Sequence, residues 1–410
     1  MSRVLAYTTP ARGHLYPLVP ILLALQERGH DVHVRTLASE VALLEGMGLS
    51  AAPIDAAVEA ITMDDWQARG AQRRLARGVA VFAARAPHDA ADLQRALDAV
   101  RPDLLLVDIN AWGALAVAER WGGAWASYSP YALTLSSVDA PPFGPGLPPA
   151  RGPLGRLRDR IARPLVFGAL ERVFLPQLNA VRTELGLPAL PNVDAQVLGV
   201  PLMLSLTAEP FEYPRSDWPA SVVQVGPCAW EPPSAVPGWL DELPDPIVLV
   251  TTSSEYQDDG RLVAVALEAL ADEPVSVIAT MPAAQAAQPR QVPDNARLVD
   301  YLPHSAVLER ASCVITHGGM GGTQKALAHG VPVVVVPFGR DQLEVARRVE
   351  VAGAGRRLPV RRLSPTRLRQ AVAQASTCRE EAARVAAGFA AAGGPGAAAD
   401  ALERQLSRVG

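Results

Sequence analysis

Residues 311–342 read ASCVITHGGMGGTQKALAHGVPVVVVPFGRDQ, and few folds can accept such a stretch. CVIT is a short β-branched apolar run, as a strand buried on both faces requires. HGGMGG follows at once. TQKALAHG then has helical character, with Ala326 and Leu327 inward and Gly330 as its stop. VPVVVVP is a second buried strand. The expected unit is strand, glycine turn, helix, strand. Glycines between a strand end and a helix start let backbone N–H groups approach a ligand with no Cβ in the way. The helix N-terminus adds a fixed partial positive charge. An anion site follows, most simply for phosphate, although the glycines alone also suit an ordinary connection.

The same grammar runs through the rest of the chain. RVLAYT (3–8), DVHVRT and DLLLVD (103–108) read as strands, each followed by a helical segment. This βαβα start predicts a doubly wound parallel sheet. Residues 64–101 read as helical with a break expected at Pro87, and 156–186 as an amphipathic helix. SVDAPPFGPGLPPARGPLG (137–155) is too rich in Pro and Gly for a regular element and is expected to be a mobile loop over a cleft. LMLSLT (202–207) is the expected last strand of the first half. Residues 210–246 hold prolines and tryptophans without periodicity, so the linker is expected there. PIVLVTTSS (246–254) restarts the pattern, which predicts a second doubly wound domain. From about 365 the chain is alanine- and arginine-rich helix, expected to cross back over the first domain.

Length and composition agree. A chain of 410 residues exceeds one ordinary core. At 49% hydrophobic and 20% charged it suits a soluble globular protein. A net charge of -4 gives no sign of nucleic-acid binding. The 3 cysteines, Cys228, Cys313 and Cys378, are far apart and imply neither a disulfide framework nor a zinc site. No basic-then-apolar leader precedes the first strand, and no apolar run reaches membrane-spanning length, so a cytoplasmic protein is expected.

In open α/β sheets, ligands sit at the strand C-terminal ends. His14 lies in the turn after the first strand and could take a proton from a hydroxyl. Asp108 ends another strand of the same sheet and could hold the other ring nitrogen. Both could instead cap helices. Ser253 and Ser254 end the strand at 246–254 and could hold a diphosphate or cap a helix. Tyr301 could stack a nucleobase, or simply be a boundary aromatic. Asp341 and Gln342 follow VPVVVVP and could bond sugar hydroxyls or cap the next helix. No DxD, CxxC or HxxxH pattern is present, which argues against a metal carrying a diphosphate. The first turn lacks GxGxxG, so a nicotinamide site is not expected there.

Taken together, RGHLYPLVPILLALQERGHDV, LLLVDINAWGALAVAERWG and PHSAVLERASCVITHGGMGGTQKALAHGVPVVVVPFGRDQ resemble the nucleotide-sugar-dependent glycosyltransferases of the GT-B fold. More narrowly they resemble the bacterial macrolide and antibiotic glycosyltransferases, relatives of the UDP-glycosyltransferases. The resemblance spans nearly the whole chain and is strongest over 300–355. It implies two Rossmann-like domains facing a deep cleft. Residues 1–212 would bind the acceptor, 213–245 would link, 246–385 would bind the donor, and 386–410 would form a helix packing back on the first domain. It further implies His14 as general base with Asp108 orienting it. His317, Gly319, Gly321, Gly322 and Thr323 would form the diphosphate turn, with Ser253 and Ser254 as its opposite wall. Tyr301 and the backbone of Leu302 would hold the base, and Asp341 and Gln342 the donor sugar. The family inverts the anomeric centre, needs no metal and holds no permanent cofactor, so a dTDP- or UDP-sugar is the expected co-substrate.

Many members that use a ribose-linked donor carry Glu where this chain has Lys325, its only lysine. A lysine cannot accept bonds from ribose hydroxyls, so a dTDP-deoxysugar is expected over a UDP-sugar. The expected acceptor is a hydrophobic, polyketide-like aglycone, and Trp66, Phe82, Trp112, Tyr128, Tyr131 and Phe143 could line its pocket, or be core. Two rival readings are a nucleotide-sugar epimerase and a non-catalytic partner of a transferase. The first would need carboxylates around the sugar; the second would lack an intact base or donor turn. Oligomeric state is not legible in the sequence.

Overall fold

The structure is a computed structural model and describes residues 1–253, 257, 259–281 and 291–408. Ser254 lies outside the described residues.

Two parallel sheets organise the chain. The first contains β1 (Arg3–Tyr7), β2 (Asp31–Thr36), β3 (Ser50–Pro53), β4 (Leu104–Asp108), β5 (Ala124–Ser129), β6 (Met203–Ser205) and β7 (Val222–Gln224). Its order is β3-β2-β1-β4-β5-β6-β7, and every pairing is parallel. The second contains β8 (Ile247–Thr251), β9 (Ser276–Thr280), β10 (Ala296–Val299), β11 (Ala311–Thr316), β12 (Val333–Val335) and β13 (Gly355–Arg357). Its order is β10-β9-β8-β11-β12-β13, again parallel throughout. β4 and β8 are buried at every position, as continuous apolar runs between helical layers must be.

Each sheet reverses its strand order once. In the first, β2 and β4 leave β1 in opposite directions; in the second, β9 and β11 flank β8. A crevice opens beyond the strand ends at such a point. The reversals place His14 and Asp108 at one crevice, and Thr251, Ser253 and His317 at the other.

The helices that matter for the site are α1 (Val19–Glu27), α2 (Ala71–Val100), α3 (Trp112–Trp121), α4 (Gly152–Glu184), α5 (Gly260–Leu270), α6 (Met320–Ala328) and α7 (Gln342–Ala352), with α8 (Arg379–Ala391) and α9 (Gly394–Ser407) closing the chain. Ala382, Val385 and Phe389 of α8 join the second domain's core. Ala398, Ala399, Ala401 and Leu402 of α9 lie in the first domain's core with Leu22 and Leu25 of α1. The chain therefore does cross back, through α9, which starts later than residue 386. Arg28 fixes the crossing with ion pairs to Asp400 and Glu403, both at 2.7 Å.

Four expectations need correcting. Pro87 does not break its helix: α2 runs through it. Pro87 faces solvent, where water can satisfy the carbonyl that its missing N–H leaves free. LMLSLT is not the last strand of the first domain, and 213–245 is not all linker, because β7 adds to the sheet beyond β6. The segment 137–155 yields to α4 from Gly152. The rest of that segment is pinned. Glu344 of α7 accepts the amides of Gly144 and Gly146, both at 2.8 Å, and Arg347 donates to the Gly146 carbonyl at 2.8 Å.

Other polar contacts also join the domains. Buried Arg348 bonds Glu212 at 2.9 Å and Glu344 at 2.9 Å. Arg340 grips Asp65 through two bonds of 2.8 and 3.1 Å.

Candidate active site

The first half of the site is a histidine held by a buried carboxylate. His14 sits on a single helical turn, Arg12–Leu15, directly after β1. Its Nδ1 lies 2.8 Å from Asp108 Oδ2. Asp108 is fully buried, yet it is well supplied with donors. It receives the Thr9 amide at 3.3 Å, the Asn110 amide at 2.8 Å and the Tyr128 hydroxyl at 3.2 Å. A buried carboxylate needs such partners to stay charged. An ionised carboxylate only accepts, so Nδ1 carries the ring proton and Nε2 presents a lone pair. That is the tautomer of a general base.

Asp341 faces this dyad from the other domain. It stands immediately before α7, in the N-cap position. Burial pushes its carboxyl up, opposed by its own backbone, by Arg340 and by His14. Burial raises the Tyr131 phenol, with Asp108 and Asp341 adding to the effect. The two halves are therefore close enough to feel each other's charge across the cleft.

The second half is the glycine turn. β11 ends at Thr316, His317 to Gly319 turn, and α6 begins at Met320. Gly318 has φ of +97°, and a Cβ there would lie 2.8 Å from Val335 Cγ1. A Cβ on Gly319 would lie 2.6 Å from the His317 ring. Only glycine fits at 318, and a side chain at 319 would have to displace the His317 ring. At Gly321, by contrast, a Cβ would meet nothing within 4 Å among the described residues, and the start of α6 is exposed. Among the described residues no side chain caps this helix. The Thr323 amide is committed to the Gly319 carbonyl at 3.1 Å, so Thr323 has its hydroxyl, not its N–H, to offer a ligand. That hydroxyl is buried and has no hydrogen-bond partner among the described residues; neither has His317 Nδ1, which lies 3.7 Å from an Asp259 oxygen. Burial, then the charge of Arg340, push His317 down to about 4 against the pull of the Thr251 backbone. The ring is neutral at neutral pH, and the Thr251 backbone competes for its one N–H.

The opposite wall is partly engaged. The Ser253 amide donates to Asp259 at 2.7 Å, and its hydroxyl accepts from Gln257 at 2.7 Å. The Gln342 amide is likewise committed: its oxygen accepts the amides of Phe338 and Gly339 at 2.7 and 2.9 Å, and its nitrogen donates to Gln257 at 2.7 Å. Gln342 thus shapes the turn that presents Asp341. Tyr301 is half exposed, with its hydroxyl on the Pro232 carbonyl at 3.2 Å, while Leu302 is buried.

Lys325 has a carboxylate after all. Glu231, from the connecting segment, lies 2.8 Å from its ammonium. Glu231 also accepts the amides of His304 and Ser305, both at 3.0 Å, and the Ser305 hydroxyl. Burial works against its charge, but the bonds from Lys325 and Ser305 outweigh it and hold the carboxyl down to about 2.

The six aromatic candidates separate. Trp112 is 2% exposed in a core cluster, its ring 5.7 Å from Phe82 and 5.8 Å from Phe174. Trp112 and Phe82 therefore pack α2, α3 and α4 together. Tyr128 is fully buried and serves Asp108, not a pocket. Burial raises its phenol well, with Asp108 adding to the effect. Tyr131 and Phe143 stay partly buried at the domain junction, and Trp66 is half-buried beside Asp65. Asn110, Gln257 and Glu231 were not singled out from sequence, and Tyr128 was singled out for the acceptor pocket, not for Asp108. The contacts to His14, Gln342 and Lys325 that matter here involve distant residues, and only the position of Asn110, two residues after Asp108, offered a signal.

Comparisons with known proteins give the site a context. The sequence model of the erythromycin biosynthesis protein CIII-like C-terminal domain matches residues 264–404. The 4'-demethylrebeccamycin synthase of Lentzea aerocolonigenes is 36% identical over 386 residues, covering 90% of this chain and 91% of that one. A PGL/p-HBAD biosynthesis rhamnosyltransferase of Mycobacterium bovis is 36% identical over 315 residues, 73% of this chain and 66% of the relative. The crystal structure of the kitacinnamycin glycotransferase matches with a TM-score of 0.77 at 25% identity over 99% of both chains. VinC, a glycosyltransferase solved in complex with dTDP, has the same fold, with a TM-score of 0.69 at 23% identity over 99% of this chain and 100% of that one.

Proposed function

The chain belongs to the antibiotic-type glycosyltransferases that include 4'-demethylrebeccamycin synthase, and from that premise we propose that it moves a sugar from a nucleoside diphosphate to a hydroxyl of a hydrophobic natural product, with inversion at C1 and His14 as base. The observation that carries the reading is the His14–Asp108 pair at 2.8 Å, facing Asp341 across the cleft.

The acceptor hydroxyl gives its proton to His14 Nε2, and its oxygen attacks C1. The bond from C1 to the diphosphate oxygen breaks, and the electron pair leaves with the diphosphate. Asp108 holds the ring and stabilises the imidazolium that forms. The departing charge meets the first amides of α6, the Thr323 hydroxyl and His317; such fixed dipoles supply a large part of the stabilisation in reactions of this kind. Asp341 accepts bonds from the sugar hydroxyls, and Tyr301 lies against the base. Tyr131 and Phe143 border the acceptor. No step is assigned to a metal.

The donor is proposed to be a dTDP-sugar. Each Glu231 oxygen already accepts two donors, so the carboxylate beside Lys325 has no free lone pair for a ribose 2′-hydroxyl. That a relative of the same fold was solved with dTDP supports the choice.

A mass-spectrometric screen of dTDP- and UDP-sugars against hydrophobic aglycones tests the whole reading, with donor alone as the control for epimerisation. His14→Ala should lose transfer but still bind nucleotide. Full transfer by that variant sinks the base. Calorimetric titration with dTDP and UDP tests the donor, and clearly tighter UDP overturns it.

A further inference from the structure

The second ring nitrogen of His14 has a neighbour that the dyad does not explain. Nε2 lies 3.4 Å from the side-chain nitrogen of Asn110. The Asn110 side-chain oxygen accepts the Tyr131 hydroxyl at 2.7 Å. The Asn110 amide is fixed on Asp108 at 2.8 Å, so the residue is tied to the dyad at both ends.

The polarity of this chain is set from Asp108. A carboxylate only accepts, so His14 Nδ1 donates and Nε2 must accept. Only the NH2 of Asn110 can then face Nε2. That leaves its oxygen for the Tyr131 O–H, in agreement with the observed contact. One arrangement of donors satisfies every link from Asp108 to Tyr131.

We propose, on the reading of His14 as base, that Asn110 is a positioning residue which holds the proton-accepting lone pair of His14 until an acceptor hydroxyl replaces it, and keeps the imidazole neutral meanwhile. The need for it lies in the charges around the ring. Asp108, at the end of β4, and Asp341, at the start of α7, both favour imidazolium. The phenols of Tyr128, on β5, and Tyr131, just after it, are uncharged. An NH2 directed at Nε2 bonds a lone pair that exists only in the neutral ring, so it opposes both carboxylates. At 3.4 Å the bond is long and easily displaced. An incoming hydroxyl can donate to Nε2 while its oxygen accepts from the released Asn110 NH2. That orients the O–H bond toward the base and leaves an oxygen lone pair free for C1.

The test is the titration of the His14 ring by NMR, its resonance assigned by comparison with His14→Ala, alongside the acid limb of kcat/KM. Asn110→Ala should raise the His14 pKa and move the acid limb up by about 0.5 to 1 pH unit, the range a single hydrogen bond supports. The isosteric Asn110→Asp should move both further, by about 1 to 3 units, since it adds a third carboxylate. Tyr131→Phe should give a smaller shift in the same direction. Nucleotide affinity should not change in any of them, whereas general damage to the fold would lower it. His14 titrating at the parent value in both Asn110 variants overturns the proposal. An acid limb and full rate that persist in His14→Ala would instead remove the base reading and leave the Asn110 contact to be judged by NMR alone.

Discussion

The two domains share one architecture, but their switch points differ in what they leave unmet. In the first, every polar group of the dyad has a protein partner: Asp108 receives four donors, and His14 is bonded at one nitrogen and approached by Asn110 at the other. In the second, the His317 Nδ1 and the Thr323 hydroxyl are buried without partners among the described residues, and the start of α6 is exposed at Gly321. A base that must be neutral when the acceptor arrives gains from being wired in advance. A surface that must take up and release a charged ligand gains from polar atoms which only the ligand completes. The difference fits a base on one side and a donor grip on the other.

The largest effect that could break this contrast is on chemistry alone. His14→Ala should lower kcat by about 10²- to 10⁴-fold in single-turnover assays, while nucleotide affinity stays at the parent level. Loss of nucleotide binding in that variant would mean that the two crevices do not divide the work. Gly321→Leu attacks the other side. The added Cβ meets no atom within 4 Å among the described residues, and leucine is a better helix former than glycine. Its melting temperature should hold or rise, while dTDP binding should weaken by at least about tenfold, a loss of ~1.4 kcal/mol.

A paired comparison sharpens the point through opposite signs. Thr323→Val removes an unpartnered buried hydroxyl and should stabilise the free protein by about 1 kcal/mol while weakening nucleotide binding. Tyr128→Phe removes a donor from buried Asp108 and should destabilise by about 1 kcal/mol and slow turnover. Equal signs in urea unfolding would show that the two sites are satisfied alike.

The smallest effect is a pH dependence of stability. Burial holds both His304 and His317 at about 4 in the fold, below the usual 6.5. Between those values the unfolded chain binds more protons, so the stability these rings contribute is complete above pH 6.5 and is lost as pH falls toward 4. His317→Asn should flatten the fall in melting temperature over that window. An unchanged profile would show that His317 is not buried as a neutral ring.

How much was legible follows from where the signal lies. The buried parallel strands are continuous apolar runs, so β1, β4, β8, β11 and β12 could be read directly. The glycine turn and His14 follow strand ends, where local order fixes their place. β7 escaped because it has three half-buried residues among prolines, too few for periodicity. Pro87 misled because its local penalty is real, but its solvent-facing side lets the helix continue. Trp112 and Tyr128 misled because an aromatic near a cleft in sequence can point away from it in space. Glu231 and Lys325 are 94 residues apart, and nothing local in either reveals the other.

The sequence by itself determined the two sheets, their crevices, and which residue types stand at the strand ends, because these depend on short-range pattern and on the fixed rules of parallel connection. Only the tertiary structure decided which of those residues are spoken for. It assigned Gln342 to its own turn, Tyr128 to Asp108, Glu344 to the loop of the facing domain and Glu231 to Lys325. Hydrogen-bond satisfaction depends on where distant segments meet, and a buried polar group left without a partner is visible only once those segments have been placed together.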